Sequence, residues 1–86
     1  MSDAVSTITI QVELYATFRK YHRTGSGVGS VTMEVPEGTT VGGLALILGM
    51  PEGQPKLPFI DNRHMGDDRV ILDGERVAYF PPIAGG

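Results

Sequence analysis

The groups of this sequence that could do chemistry gather at its end. The last residues are Gly85-Gly86, and there is no cysteine in the 86 residues. A terminal carboxyl has a pKa of about 3.5, so at neutral pH the Gly86 carboxylate is an anion. Such an anion can attack the α-phosphate of ATP to give an acyl-adenylate. That mixed anhydride can then be displaced by a sulfur nucleophile, leaving a thiocarboxylate. Neither step needs a side chain of this chain. Without cysteine, a disulfide, a thiol nucleophile, a persulfide and a thiolate metal site are all excluded. Sulfur carried by this chain would sit on its carboxyl terminus.

Two glycines alone are a weak signal: with 12 glycines in 86 residues, chance supplies such a pair about 2% of the time. The residues before them strengthen it. An apolar stretch ends in Tyr79-Phe80, Pro81-Pro82 follow, and Ile83-Ala84 lead into the glycines. The prolines favour an extended conformation that projects the chain from the body. The stretch 81–86 reaches at most about 20 Å. Glycine has no side chain to clash in a narrow active site and takes backbone angles closed to other residues. Because strands alternate, one of Tyr79 and Phe80 must point away from the core. An outward aromatic beside the apolar Ile83 is a candidate partner contact, with packing under a loop as the plain alternative.

The other candidates read as ordinary structure. Gly25-Ser26-Gly27-Val28-Gly29-Ser30 lacks the lysine of a phosphate-binding loop and the third glycine of a dinucleotide fingerprint, so it reads as a flexible hairpin connection. Arg19, Lys20, His22 and Arg23 form a basic cluster, read as a solvated face, with partner docking as the second reading. His22 and His64 have no companion ligands at metal spacing. Asp61 and Asp67-Asp68 fall in turn-like sequence and read as solvated turn residues rather than an acid–base pair.

A net charge of −3 argues against a nucleic-acid binder, which needs a concentrated positive field. The same acidity suits docking on basic partner surfaces. No apolar run approaches the ~20 residues of a membrane helix, and Met1-Ser2-Asp3-Ala4 is unlike a secretion signal. The expectation is a soluble, cytoplasmic chain with no bound cofactor or metal.

The elements that must position the tail are legible in outline. Ile8, Ile10, Val12 and Leu14 alternate with Thr7, Thr9, Gln11 and Glu13, which predicts a strand with one buried face. Tyr15 to Tyr21 reads as a helical turn carrying Phe18 inward. Val31 to Val35 is a second strand, antiparallel to the first. After the turn Pro36-Glu37-Gly38, Thr39 or Thr40 can cap a helix whose apolar face is Val41, Leu44, Ala45 and Leu48. Gly49 suits its left-handed end, and Pro51 blocks continuation. Gly42 and Gly43 each cost about 1 kcal/mol relative to alanine, so this helix must lean on packing. Leu57 to Ile60 is a short strand followed by a polar turn at Asp61-Asn62-Arg63. Asp73-Gly74 is a hairpin-type turn signal, and Arg76 to Phe80 is the last strand, ended by Pro81-Pro82. The domain plan is a disordered lead over 1–6, one folded unit over 7–80 and a flexible tail over 81–86. One helix with a run of strands implies an α+β fold. The strongest apolar patterns lie in the first strand, the helix and the last strand. A mixed sheet with the terminal strands central and adjacent explains this, and it is the β-grasp, or ubiquitin-like, arrangement.

From about Val12 to Gly86 the sequence resembles the MoaD/ThiS sulfur carriers, and within them the small subunit of molybdopterin synthase. The resemblance rests on Leu14-Tyr15-Ala16-Thr17-Phe18-Arg19, on Val35-Pro36-Glu37-Gly38-Thr39-Thr40-Val41, on Leu48-Gly49-Met50-Pro51, and above all on the stretch from Leu72 to Gly86, LDGERVAYFPPIAGG. It implies a β-grasp fold, adenylation of Gly86 by a ubiquitin-activating-like adenylyltransferase using ATP, and conversion to a thiocarboxylate with a sulfur donor. It further implies delivery of the sulfur inside a second partner, with Tyr79, Phe80, Pro81, Pro82, Ile83, Ala84 and Gly85 contacting partners. Pro81-Pro82 resembles the molybdopterin branch, whose partner is the large synthase subunit and whose acceptor is precursor Z. The chain departs from the family's usual pattern at Gly42-Gly43 and in a longer loop after His22.

On this reading the chain is a co-substrate without catalysis of its own, and the small subunit of a molybdopterin-synthase-type complex. Tungsten-pterin assembly, a thiamine-type pathway or another sulfur pathway would need much the same sequence. Two other classes stand beside it: a protein modifier joined to lysines by isopeptide bonds, and a β-grasp interaction module with an inert tail.

Overall fold

The computed structural model describes residues 6–21 and 30–82. The expected lead, the glycine-rich loop and its phosphate-loop alternative, His22, Arg23, and the tail residues Ile83, Ala84, Gly85 and Gly86 lie outside the described residues, apart from Ser6 of the lead and Ser30 of the loop.

Strand β1 spans Thr7–Leu14, β2 Ser30–Pro36, β3 Leu57–Ile60, β4 Arg63–His64 and β5 Arg76–Phe80, with helix α1 over Val41–Ile47 and a 3-10 helix over Ala16–Tyr21. They form a five-stranded mixed sheet in the order β2-β1-β5-β3-β4. The first and last strands lie side by side and parallel, in the register Gln11 with Arg76 through Leu14 with Tyr79. β2 pairs antiparallel with β1, and β3 antiparallel with β5. This is the β-grasp α+β fold.

Alternation determines which side of the sheet is dry. Ile8, Ile10, Val12 and Leu14 of β1, Val77 and Tyr79 of β5 and Ile60 of β3 are buried with Val41, Leu44 and Ala45 of the helix. Phe18 is buried as well, so the 3-10 helix does carry it inward. Helix α1 begins where the Thr40 hydroxyl accepts from the Gly43 amide at 3.0 Å, the capping role expected of a threonine at that point. It ends in a Schellman motif: Gly49 takes φ +101°, its amide donates to Leu46, and the Met50 amide donates to Ala45, both at 3.0 Å. A helix of seven residues is too short to persist alone. The burial of Val41, Leu44 and Ala45 holds it.

Two turns differ from expectation. Asp61 and Asn62 both have positive φ, 51° and 72°, the signature of a two-residue type I′ hairpin, which Asn and Asp tolerate. The chain therefore returns as β4, pairing Arg63 with Ile60 and His64 with Phe59, where only a polar turn was expected. Asp73-Gly74 does form a turn, with Gly74 at φ +85°, but it joins no strand pair. Val70 makes only an isolated bridge, to Thr40. The turn is tied instead to β1: Asp73 Oδ1 accepts from the Thr9 amide at 2.7 Å, and the Gly74 amide donates to the Thr9 carbonyl at 2.8 Å. These bonds feed β5 into its parallel place beside β1. Arg69 closes the loop before it by a bidentate pair with Glu75, at 3.0 and 2.8 Å, and Glu75 also accepts from the Leu72 amide at 2.7 Å. Bidentate arginine–carboxylate pairs are the strong, geometrically specific kind.

Candidate functional site

The tail leaves the body from β5, so the site is built where that strand ends. Side chains of β5 alternate: Val77 and Tyr79 face the helix side, and Phe80 faces the opposite side of the sheet. Tyr79 was expected among the partner contacts, and its placement corrects that. Its side chain is 0 % exposed, and its hydroxyl donates to the Val41 carbonyl at 2.5 Å. A residue closed off in this way touches no partner directly. Burial, followed by the nearby charge of Asp67, pushes its phenol well above the ordinary range.

Phe80 is the outward aromatic. It is half-buried because neighbours cover it on two sides. The Tyr15 ring stacks flat on it, centroids 4.4 Å apart and 1° from parallel. Phe59 of β3 meets it edge-on at 5.4 Å and is itself met edge-on by His64 of β4 at 5.5 Å. Such arrangements match the quadrupoles of the rings and fix their orientation. Around these rings lies an open, largely apolar groove of about 430 Å³ that Leu57, Ala78 and Pro81 also line. Tyr15 and Leu57 remain 40 % and 37 % exposed, so apolar surface is available on this face. Pro81 is half-buried at the groove's end and Pro82 is exposed. The root of the tail thus passes beside the aromatic face.

The polar edge of the groove is Glu13. Its carboxylate accepts from the Tyr15 hydroxyl at 2.6 Å and lies 3.6 Å from Arg76 Nε. The hydrogen bond to Glu13 raises the Tyr15 phenol, helped by burial and by the charge of Glu13, with Arg76 acting in the opposite sense. Tyr15 is held in place by its backbone too: its amide donates to the Tyr79 carbonyl at 3.2 Å. The chain then turns sharply at Ala16, φ 54°.

Tyr15, Phe59 and Glu13 are members of this face that sequence reasoning did not single out. Phe59 was within reach, since it sits between the inward Pro58 and Ile60. Tyr15 was not, because the left-handed turn at Ala16 ends the alternation of β1 at that point. Among the described residues, the remaining candidates do not line the groove. His64 is exposed on β4, and Asp61 stands in the type I′ turn. Asp67 is exposed but, beyond the solvated role expected of it, pairs with Lys56 at 3.2 Å. Among the described residues no group of three His, Cys, Asp or Glu gathers as a metal site, and no helix is long and apolar enough to cross a membrane.

No protein-family model matches the chain, and no curated protein matches it. Solved structures do. The solution structure of the Haloferax volcanii HVO 2177 protein matches with a TM-score of 0.75 and 25% identity, covering 100% of this chain and 93% of that one. A Pyrococcus furiosus protein assigned as molybdopterin converting factor, subunit 1, matches with a TM-score of 0.67 and 23% identity, covering 88% of this chain and 99% of that one. The crystal structure of H. volcanii small archaeal modifier protein 1 matches with a TM-score of 0.67 and 16% identity, again covering 88% and 99%. With its sheet order, its capped helix and these neighbours, the chain has a ubiquitin-like, β-grasp fold.

Proposed function

We propose that this chain is a sulfur carrier. Its Gly86 carboxylate is adenylated by a ubiquitin-activating-like partner that uses ATP, then converted to a thiocarboxylate that gives up its sulfur in cofactor biosynthesis. The observation that carries this reading is the placement of the tail root: Phe80 and Pro81 leave the sheet beside an exposed aromatic face, and the sequence that follows is Pro82-Ile83-Ala84-Gly85-Gly86. A partner gripping the face formed by Tyr15, Phe59 and Phe80 would have the last residues within reach of its active site. The stretch 81–86 spans at most about 20 Å.

Within this reading the acceptor pathway is molybdopterin or tungstopterin dithiolene formation. The partners are the large subunit of a molybdopterin-synthase-type complex, an adenylyltransferase and a sulfur donor, acting in the cytoplasm without nucleic acid or membrane. The similarity to a Pyrococcus protein assigned as molybdopterin converting factor supports it. A second reading, a protein modifier that forms isopeptide bonds, is supported by the similarity to small archaeal modifier protein 1. Both need an adenylated Gly86. ATP–pyrophosphate exchange by an adenylyltransferase from the same cell tests the shared step: exchange should require this chain and vanish when Gly86 is deleted. Exchange that persists without Gly86 rejects both readings. The products then separate them, a small thiocarboxylate species in one case and a ladder of heavier conjugates in the other.

A further inference from the structure

An activated carboxyl terminus acylates amines. The unprotonated ε-amine of a lysine attacks the acyl carbon of the adenylated glycine, a C–N bond forms, the acyl–oxygen bond to AMP breaks, and the amine's proton passes to solvent. A carrier therefore risks being consumed by other copies of itself. This sequence has two lysines, Lys20 and Lys56, and the second is held in an unusual setting.

The Lys56 side chain is 9 % exposed, although lysine normally keeps its ammonium in water. It lies in a groove beside helix α1 that Thr40, Gly42, Gly43 and Leu46 help to line. Its Nζ donates to Asp67 Oδ2 at 3.2 Å and to the Gln54 carbonyl at 3.3 Å. Asp67 can stand there because Gly42 leaves room for it. A Cβ on Gly42 would lie 3.1 Å from Asp67 Cβ and 3.3 Å from its carbonyl oxygen, and the Gly42 amide donates to that carbonyl at 2.8 Å. The glycine that weakens the helix is thus the one that admits the lysine's partner.

We propose that Asp67 locks Lys56 against acylation, so that in the folded chain this lysine is not an acceptor for an activated C-terminus, its own or another's. To react, the amine must give up its proton and both partners and turn out of the groove. The inference rests on the proposed function for its purpose but not for its test. Full-length protein is treated with a water-soluble acetylating ester at neutral pH, and the acetylation rate of Lys56 is read by peptide mass spectrometry, folded and in denaturant. Lys56 should react at least about tenfold more slowly in the folded chain, as hydrogen bonds between charged groups of this kind imply. Asp67→Ala, and separately Asp67→Asn, should recover most of that factor while the amide spectrum stays that of the folded protein. The Asp67 side chain is 60 % exposed and its backbone carbonyl serves Gly42, so these variants keep the fold. Equal folded and unfolded rates, or protection untouched by both substitutions, would overturn the lock. A branched peptide in which the C-terminal stretch 77–86 is joined to Lys56, found after incubation with an adenylyltransferase and ATP, would overturn it too. Loss of activation altogether would instead count against the proposed function and leave the acetylation result standing.

Discussion

The hydroxyl of Tyr79, in the penultimate position of β5, donates to the carbonyl of Val41, the first residue of helix α1, at 2.5 Å. The bond ties the strand that launches the tail to the one α-helix among the described elements. It also explains why a polar aromatic can occupy a fully buried position, since a buried hydroxyl must find a partner. Phe80, the next residue, is released to the opposite face.

Tyr79→Phe should therefore lower stability by about 1 kcal/mol at neutral pH, read from denaturant unfolding, without altering the aromatic face. Its pH signature has a definite sign. Burial raises the Tyr79 phenol above its ordinary value of 10.0. Its contribution is complete below that value and is lost as pH rises past it, because the unfolded chain then ionises while the folded one does not. The loss should approach ~1.4 kcal/mol per pH unit above about 10. The gap between wild type and Tyr79→Phe should narrow over that range. A constant gap would place the hydroxyl in water rather than in the core.

Glu75 gives the opposite dependence. Its hydrogen bond with Arg69 comes first among the causes holding its carboxyl below the ordinary range, with the Leu72 amide assisting against the effect of burial. A lowered carboxylate stabilises the fold above its unfolded pKa and loses that contribution as pH falls below about 4.5. Glu75→Gln should be less stable than wild type at pH 7 and approach it in acid. Parallel acid-unfolding curves would show the pair contributes nothing.

Gly49 closes helix α1 at φ +101°, where a side chain is strained. Gly49→Ala should cost about 1 kcal/mol, seen as a lower denaturant midpoint with unchanged m. A neutral result would mean that the Schellman end is not formed in solution.

The sequence made the frame readable where period and chemistry agree. The run Ile8-Ile10-Val12-Leu14, the Thr40 cap and the Gly49 end all lie where local pattern places them. Legibility failed where position depends on register. Nothing within Arg63-His64 alternates, so β4 emerges only from the paired positive φ angles before it. Alternation required one of Tyr79 and Phe80 to face outward, and Val77, two residues before Tyr79 on the same face, held the answer. The Tyr15–Phe80 stack was out of reach, because it joins the ends of two strands through a left-handed turn at Ala16. The role of Gly42 was equally hidden: in the sequence it is a helix-weakening residue, and only the approach of Asp67 gives it a purpose.

The aromatic face should matter for partners more than for folding. Phe80→Ala and Tyr15→Ala should raise the concentration of carrier needed for half-maximal activation by an adenylyltransferase at least about tenfold, the scale of interface hot spots, with the turnover rate much less affected. Tyr15→Phe keeps the stack while losing the bond to Glu13, so it should retain most of the affinity. Unchanged half-saturation in both alanine variants would remove this face from recognition.

The central claim is that Gly86 carries sulfur, and intact mass tests it most directly. The purified chain is incubated with a ubiquitin-activating-like enzyme from the same cell, ATP and a sulfur donor. The account predicts a mass gain equal to one oxygen replaced by sulfur, absent when Gly86 is deleted. An unchanged mass, with the enzyme active on another carrier, would contradict it.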